Sequence, residues 1–244
     1  MQPLICSVKT TGILFVNWSL RSLMERDKLK ASFGRFMRAM ADLLILNILT
    51  LFCSLPIITI GPVLCALYTV TLKIARDEPA NTIRDFFSAI KKNFFQGMIL
   101  GAIAVFAAIV IYVDGTYAFS LDRTFKIIFC VITGILGAVW LTYVCYVFAL
   151  QARYEAPVQA QIKNAFLLAF VSPLKTVLMW IVLAIPVLLV LYLPWNFVAY
   201  MSSLYLMFGI SLPVFCNSVI LRKVFDRFDP PEEMYEDEWE MRNQ

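Results

Sequence analysis

The chain contains no histidine among its 244 residues. Histidine is the commonest general base and a frequent metal ligand, so its absence argues against a hydrolase or a haem protein. Acid catalysis within a membrane would need a pair of acids, and Asp42 has no second acid in an apolar segment. We therefore expect no enzymatic activity, no metal site and no cofactor.

Two further motifs are missing. There is no C-x-x-C pair among the six cysteines, and five of them lie within apolar runs: Cys53, Cys65, Cys130, Cys145 and Cys216. This placement is typical of small buried hydrophobic side chains. The phosphate-binding pattern G-x-x-x-x-G-K-[ST] is also absent, so any coupling to ATP must come from another protein.

Charged residues are scarce at 16%, whereas 61% of the residues are hydrophobic and the mean hydropathy is +0.77. A soluble core of this size could not bury so much apolar surface. Apolar runs long enough to cross about 30 Å of hydrocarbon occur at 40–60, 97–113, 124–150, 174–193 and 203–221, and a shorter run occurs at 61–75. The composition predicts an all-α polytopic membrane protein with about six transmembrane helices.

The basic residues predict the orientation of these segments. Nineteen Lys and Arg residues fall on one side of the six segments and two on the other, which places both termini in the cytoplasm of a cell-membrane protein. The predicted organisation is an N-terminal extension (1–32), a six-helix membrane domain (33–226) and an acidic cytoplasmic tail (227–244). The basic residues lie beside apolar runs, so we expect the lipid bilayer as partner and no nucleic acid.

Two spans are followed by amphipathic stretches, after the similar sequences "IARDEP" and "LQARYEAP". Their apolar stripes are Ile83, Phe86, Phe87, Ile90 and Phe94, then Val158, Ile162, Ala165, Phe166 and Ala169. The spacing predicts two cytoplasmic amphipathic helices. Each could lie in the lipid interface or dock on the protein's own surface.

The first apolar segment carries a polar stripe. Asn47, Thr50 and Ser54 stand at i, i+3 and i+7, so they should face other helices or a wet cavity rather than lipid. Ordinary hydrogen bonds between helices would explain them equally well. Arg38 and Asp42 are four residues apart at the start of this segment, which favours an anchoring ion pair.

The uncharged link "LPIITIGP" joins segments one and two and contains Pro56, Gly61 and Pro62. Either segment two begins near Ile57 and kinks at Pro62, as a tight hairpin, or the link dips into the outer leaflet. Non-helical backbone at that depth must be buried in protein or line water, so residues 54–62 are a candidate site.

Small residues at helical spacing mark two later segments. They are Gly97 and Gly101 in one segment, and Gly134 and Gly137 in the next. Such faces let helix backbones approach closely in lipid. We therefore expect tight helix packing at both places.

Three stretches carry a family resemblance: "FMRAMADLLILNILTLFCSLPIITIGP", "ALYTVTLKIARDEP" and "FFSAIKKNFFQG". They resemble the YesL-like membrane proteins of Gram-positive bacteria, a family of unknown function. The positions that match its motif are Asp42, Asn47, Ser54, Pro56, Gly61, Tyr68 and Lys73. The resemblance implies an association with carbohydrate uptake, because genes of this family often lie beside sugar ABC-transporter systems.

Several functions are compatible with these features. The leading hypothesis is an accessory or permease-like component of carbohydrate uptake, with sugar ABC-transporter subunits or other membrane proteins as partners. An autonomous small-solute transporter, with a path near residues 54–62, is the second. A structural membrane protein is the third. The candidate functional residues are Asp42, Asn47, Thr50, Ser54, Pro56, Gly61, Tyr68 and Lys73.

Overall fold

A computed structural model describes residues 30, 33–79, 81–120, 122–154, 156–192 and 207–227. The predicted extension 1–32 (except residue 30), the start of the sixth segment and the tail from residue 228 lie outside the described residues. The chain divides into two compact units at Asp42. In the first unit Arg38 is exposed and Asp42 is half-buried, and the ion pair between them stays a prediction.

The described residues are helical. The helices are α1 (Phe33–Cys53), α2 (Ile60–Ala75), α3 (Thr82–Lys92), α4 (Phe94–Phe119), α5 (Arg123–Arg153), α6 (Val158–Val171), α7 (Pro173–Tyr192) and α8 (Ser211–Phe225). A 3₁₀ turn, Ile57–Thr59, precedes α2. The prediction of an all-α fold is confirmed for this part of the chain.

Four helical segments are long and apolar enough to cross a membrane: Phe33–Cys53, Ile57–Ala75, Phe94–Ala118 and Phe125–Arg153. A fifth candidate is the pair Val158–Val171 and Pro173–Pro186, whose axes are bent by 106°. The described part of the chain therefore has the helices of a membrane protein, with four or five candidate spans. The sixth span, the orientation and the interfacial position of α3 and α6 stay predictions.

The link between α1 and α2 is a tight hairpin. The Thr59 hydroxyl donates to the carbonyl oxygens of Cys53 (2.6 Å) and Pro56 (2.7 Å), which closes the 3₁₀ turn. Pro62 lies in the first turn of α2, where a backbone donor has no acceptor within the helix, so its ring is tolerated. A helical segment begins at Ile57, as one of the two predicted arrangements requires, and the depth of the link in the membrane stays a prediction.

The core is built around α2 and the second half of α5. Val63, Leu67 and Val70 of α2 have no exposed surface, and neither have Tyr146 and Phe148 of α5. Around these two helices pack α3, α4, α6, α7 and α8. A helix that is apolar on all sides and buried in this way is typical of a bundle interior.

The first half of α5 and the neighbouring part of α4 form a hairpin with an apolar exterior. Only 11% of the most apolar part of the α5 span is buried, and Phe106 and Ile135 are among the exposed side chains. Such a surface suits lipid and not water. Cys130 is exposed here, so its predicted burial is wrong, whereas Cys65 and Cys145 are buried.

Two sharp corners interrupt the later helices, at Asn93 between α3 and α4 and at Ser172 between α6 and α7. Both are attached to α5. Gln151 Nε2 donates to Asn93 Oδ1 (3.0 Å) and to Gln96 Oε1 (2.6 Å), and the hydroxyls of Tyr146 and Thr176 are 2.9 Å apart. The order span, short helix, long helix thus occurs twice, as the sequence repeat predicted.

The two short helices also dock on the protein. Phe86 of α3 has no exposed surface, so one face of this helix packs on the core. In α6, Gln161 does not belong to the predicted apolar stripe. It is instead fully buried, and its Nε2 donates to the Tyr154 carbonyl oxygen at 2.7 Å.

Candidate functional site

A set of polar side chains is buried where α1, α2 and α8 meet. Its members, called here the polar seam, are Asn47, Thr50, Tyr68, Thr71, Ser211, Asn217 and Ser218, each with at most 2% of its surface exposed. None of these side chains carries a formal charge at neutral pH. The seam contains three of the predicted site residues: Asn47, Thr50 and Tyr68.

Asn47 explains why an apolar helix carries a carboxamide. Its Oδ1 accepts hydrogen bonds from the backbone N–H groups of Ile210 (3.0 Å) and Ser211 (3.1 Å) at the beginning of α8. The first amides of a helix have no acceptor within it, and in hydrocarbon each unmet donor costs several kcal/mol. Asn47 therefore caps α8 from another helix.

Two polar contacts join α2 and α8 further along. The Thr71 and Ser218 hydroxyl oxygens are 2.8 Å apart, and Thr71 also donates to the Leu67 carbonyl oxygen of its own helix (2.8 Å). The Tyr68 hydroxyl faces the side-chain amide of Asn217. In the described part of the chain, however, neither atom of that amide has a partner with hydrogen-bond geometry.

Four atoms of the seam are buried without a hydrogen-bond partner among the described residues. They are Thr50 Oγ1, Ser211 Oγ, and both Oδ1 and Nδ2 of Asn217. Leaving a buried polar atom unsatisfied costs about 1–3 kcal/mol. Hydroxyl and carboxamide groups can both donate and accept, so these four atoms have the chemistry to pair with water or with a neutral, hydrogen-bonding molecule.

The end of the seam near Ser218 is closed by ionic contacts between the last turns of α2 and α8. Arg76 pairs with Asp226 at 2.7 Å, and Arg222 Nη1 donates to the Ala75 carbonyl oxygen at 2.6 Å. Arg222 and Asp226 are also 3.7 Å apart. These contacts hold the two helix ends together.

The remaining predicted site residues lie outside the seam. Ser54 is half-buried at the end of α1, and its N–H donates to the Thr50 carbonyl oxygen at 2.9 Å. Pro56 is exposed at the start of the 3₁₀ turn. Lys73 forms an ion pair with Asp85 of α3 at 2.9 Å.

Gly61 is a packing residue. A Cβ atom at this position would lie 1.9 Å from the carbonyl oxygen of Gly97 and 2.9 Å from the Cα of Gly101. The predicted close packing through Gly97 and Gly101 of α4 is therefore confirmed, and its partner is the beginning of α2. At Gly134 and Gly137 of α5, an added Cβ would meet nothing within 4 Å.

Sequence reasoning missed the contribution of α8. Ser211 and Ser218 are seven residues apart with Asn217 beside them, within a largely apolar stretch. This is the same kind of polar stripe that Asn47 and Thr50 form in α1. The pattern could have indicated that the two helices face each other.

Comparisons with known proteins give one family match and one relative. Residues 43–115 match the model of a family described as "Protein of unknown function, DUF624". An uncharacterized protein, YesL of Bacillus subtilis (strain 168), is 28% identical over 151 residues, which are 60% of this chain and 69% of the relative. No solved structure matches the chain. The resemblance drawn from the motifs is thereby supported: the chain is similar to YesL, and residues 43–115 resemble a family of unknown function.

Proposed function

We propose that the chain is a noncatalytic, permease-like component of carbohydrate uptake in the cell membrane, and that the polar seam contacts the sugar. The observation that carries this proposal is the group of four buried atoms, on Thr50, Ser211 and Asn217, that have no hydrogen-bond partner within the described part of the chain. A folded protein normally pairs such atoms. A bound neutral solute would pair them when it is present, and water would do so otherwise.

The chemistry of the seam favours a sugar over an ion or an acid. Sugars present many hydroxyl groups and no charge, and the seam offers hydroxyl and carboxamide groups. A permeating ion would need carbonyl rings or charged side chains, and the buried part of the seam has no charged side chain. The implied neighbourhood of sugar ABC-transporter genes in YesL-like families agrees with this class of solute.

A partner protein would supply the energy. The sequence contains no G-x-x-x-x-G-K-[ST] motif, so ATP hydrolysis would take place in another subunit. The expected partners are the membrane subunits of a sugar ABC transporter. Crosslinking in native membranes, followed by identification of the neighbours, tests this part of the proposal.

Sugar binding is tested with the full chain in lipid nanodiscs and a panel of neutral mono- and disaccharides. A sugar at about one hundred times its Kd should raise the free energy of unfolding by about 2.7 kcal/mol. Asn217→Leu, which removes two unpartnered atoms, should abolish this response while the variant stays folded. Asn164→Leu on the exposed face of α6 is the matched control and should respond like the unaltered chain.

The results separate the candidate functions. If no neutral sugar stabilises the unaltered chain, or if Asn217→Leu responds normally, the seam does not bind sugar and the proposal is wrong. The burial of the seam between three helices also favours a second candidate, an autonomous transporter. Sugar uptake by liposomes that contain the purified chain alone would support this second candidate over a partner-dependent component.

A further inference from the structure

The short helix α3 presents three different faces. At 100° per residue, Thr82, Phe86 and Ala89 share the buried face. Ile83 and Phe87 lie next to it and are 55% and 43% exposed. Arg84 and Lys91 follow on the far side and are also exposed. The outward surface is therefore half apolar and half basic.

The apolar half continues into α4. Phe95 is 75% exposed and lies one turn beyond Lys91, after the corner at Asn93. Among the described residues no ion pair involves Arg84 or Lys91. Two exposed cations thus border a strip of three exposed apolar side chains.

The position of α3 in the bundle places it where three other helices end. Lys73, at the end of α2, pairs with Asp85 of α3, and Gln151, near the end of α5, bonds to Asn93. Arg76 of α2 and Asp226 of α8 meet at this end too. The carboxyl ends of α2, α5 and α8 therefore gather beside α3, and this is the end that the distribution of basic residues assigns to the cytoplasm.

We propose that the outward surface of α3 binds anionic phospholipid. Ile83, Phe87 and Phe95 enter the acyl-chain region, while Arg84 and Lys91 hold phosphate oxygens at the level of the headgroups. A helix with an apolar strip beside a basic strip has the pattern of one that lies in the membrane interface. Each Lys or Arg near an anionic membrane surface strengthens the binding of the protein to that surface, by about five-fold in affinity.

The proposal is tested by native mass spectrometry of the full chain, with dioleoylphosphatidylglycerol and dioleoylphosphatidylcholine as probes. The double variant R84Q/K91Q should lose affinity for phosphatidylglycerol by roughly 25-fold and keep its affinity for phosphatidylcholine. The matched control is K126Q/K163Q, which changes the net charge by the same amount and should bind phosphatidylglycerol like the unaltered chain.

Two more measurements distinguish a lipid from a free anion. Ile83→Ser/Phe87→Ser should weaken the binding of both lipids, since it removes the apolar strip. Glycerol phosphate, which has the phosphate but no acyl chains, should not displace phosphatidylglycerol. The proposal is overturned if R84Q/K91Q binds phosphatidylglycerol normally, if the control loses as much affinity, or if glycerol phosphate competes.

Discussion

Replacing Gly61 by alanine gives the sharpest test of the helix packing. The added Cβ would lie 1.9 Å from the Gly97 carbonyl oxygen, 2.8 Å from its carbonyl carbon and 2.9 Å from the Gly101 Cα. All three atoms belong to the backbone of α4. No side chain can rotate to make room, so the beginning of α2 must move away from α4.

The size of the effect follows from that distance. Ordinary contacts begin near 3.4 Å, so the helices must separate locally by about 1.5 Å. A gap of about 0.5–1 Å already removes a quarter to a half of each van der Waals attraction along the contact. Overpacking a tight interior costs about 1–3 kcal/mol. Because the clash is with rigid backbone, we expect Gly61→Ala to destabilise the protein by about 3 kcal/mol.

The assay is a reversible titration with sodium dodecyl sulfate in mixed micelles, followed by circular dichroism. Gly134→Ala is the control, because an added Cβ there meets nothing within 4 Å. Alanine is a better helix former than glycine, so this variant should gain up to about 1 kcal/mol. If Gly61→Ala unfolds at the same detergent fraction as Gly134→Ala, the close crossing of α2 and α4 is refuted.

Three other substitutions or reactions probe separate features. Asn47→Ala should lower the free energy of unfolding by about 2–4 kcal/mol, because the N–H groups of Ile210 and Ser211 lose their acceptor. Thr50→Val removes a hydroxyl without a hydrogen-bond partner among the described residues and should raise the free energy of unfolding by up to about 1–3 kcal/mol in the same titration. Lys73→Gln removes the ion pair with Asp85, in which the two side chains are 37% and 22% exposed. It should lower the free energy of unfolding by less than about 1 kcal/mol; a larger decrease would show that Lys73 has a role beyond this ion pair. N-ethylmaleimide should modify the buried Cys65 only after unfolding, as peptide mass analysis would reveal; modification of Cys65 in the folded protein would contradict the core.

Local patterns were enough to predict the helices and their repeated order. The apolar runs predicted the helices, and Pro56 predicted the break after α1, because these properties depend on neighbours in the sequence. The place of Gly61 was not predictable in the same way. Its partners on α4 are 36 and 40 positions further along the chain, and only the folded bundle brings them together.

The polar seam shows the same limit. The stripe of Asn47 and Thr50 predicted a face that avoids lipid, but not the partner that it meets. Asn47 bonds to Ser211 across 164 positions. Lys73 and Tyr68 belong to the same family motif in the sequence, yet the structure separates their environments. Lys73, near the end of α2, pairs with the carboxylate of Asp85 on α3. Tyr68 is buried within the seam.

The attachment of the α3–α4 corner to Gln151 has a consequence for synthesis. The donor is made 58 positions after Asn93 and 55 after Gln96. At roughly 5–20 residues per second, the ribosome needs about 3–12 s to reach Gln151 after it has made Asn93 and Gln96. During this time the two amide oxygens lack their donor. A chain that stops before position 151 would keep the ion pair between Lys73 and Asp85 but lack both bonds from Gln151, so its α3–α4 corner would be held more weakly.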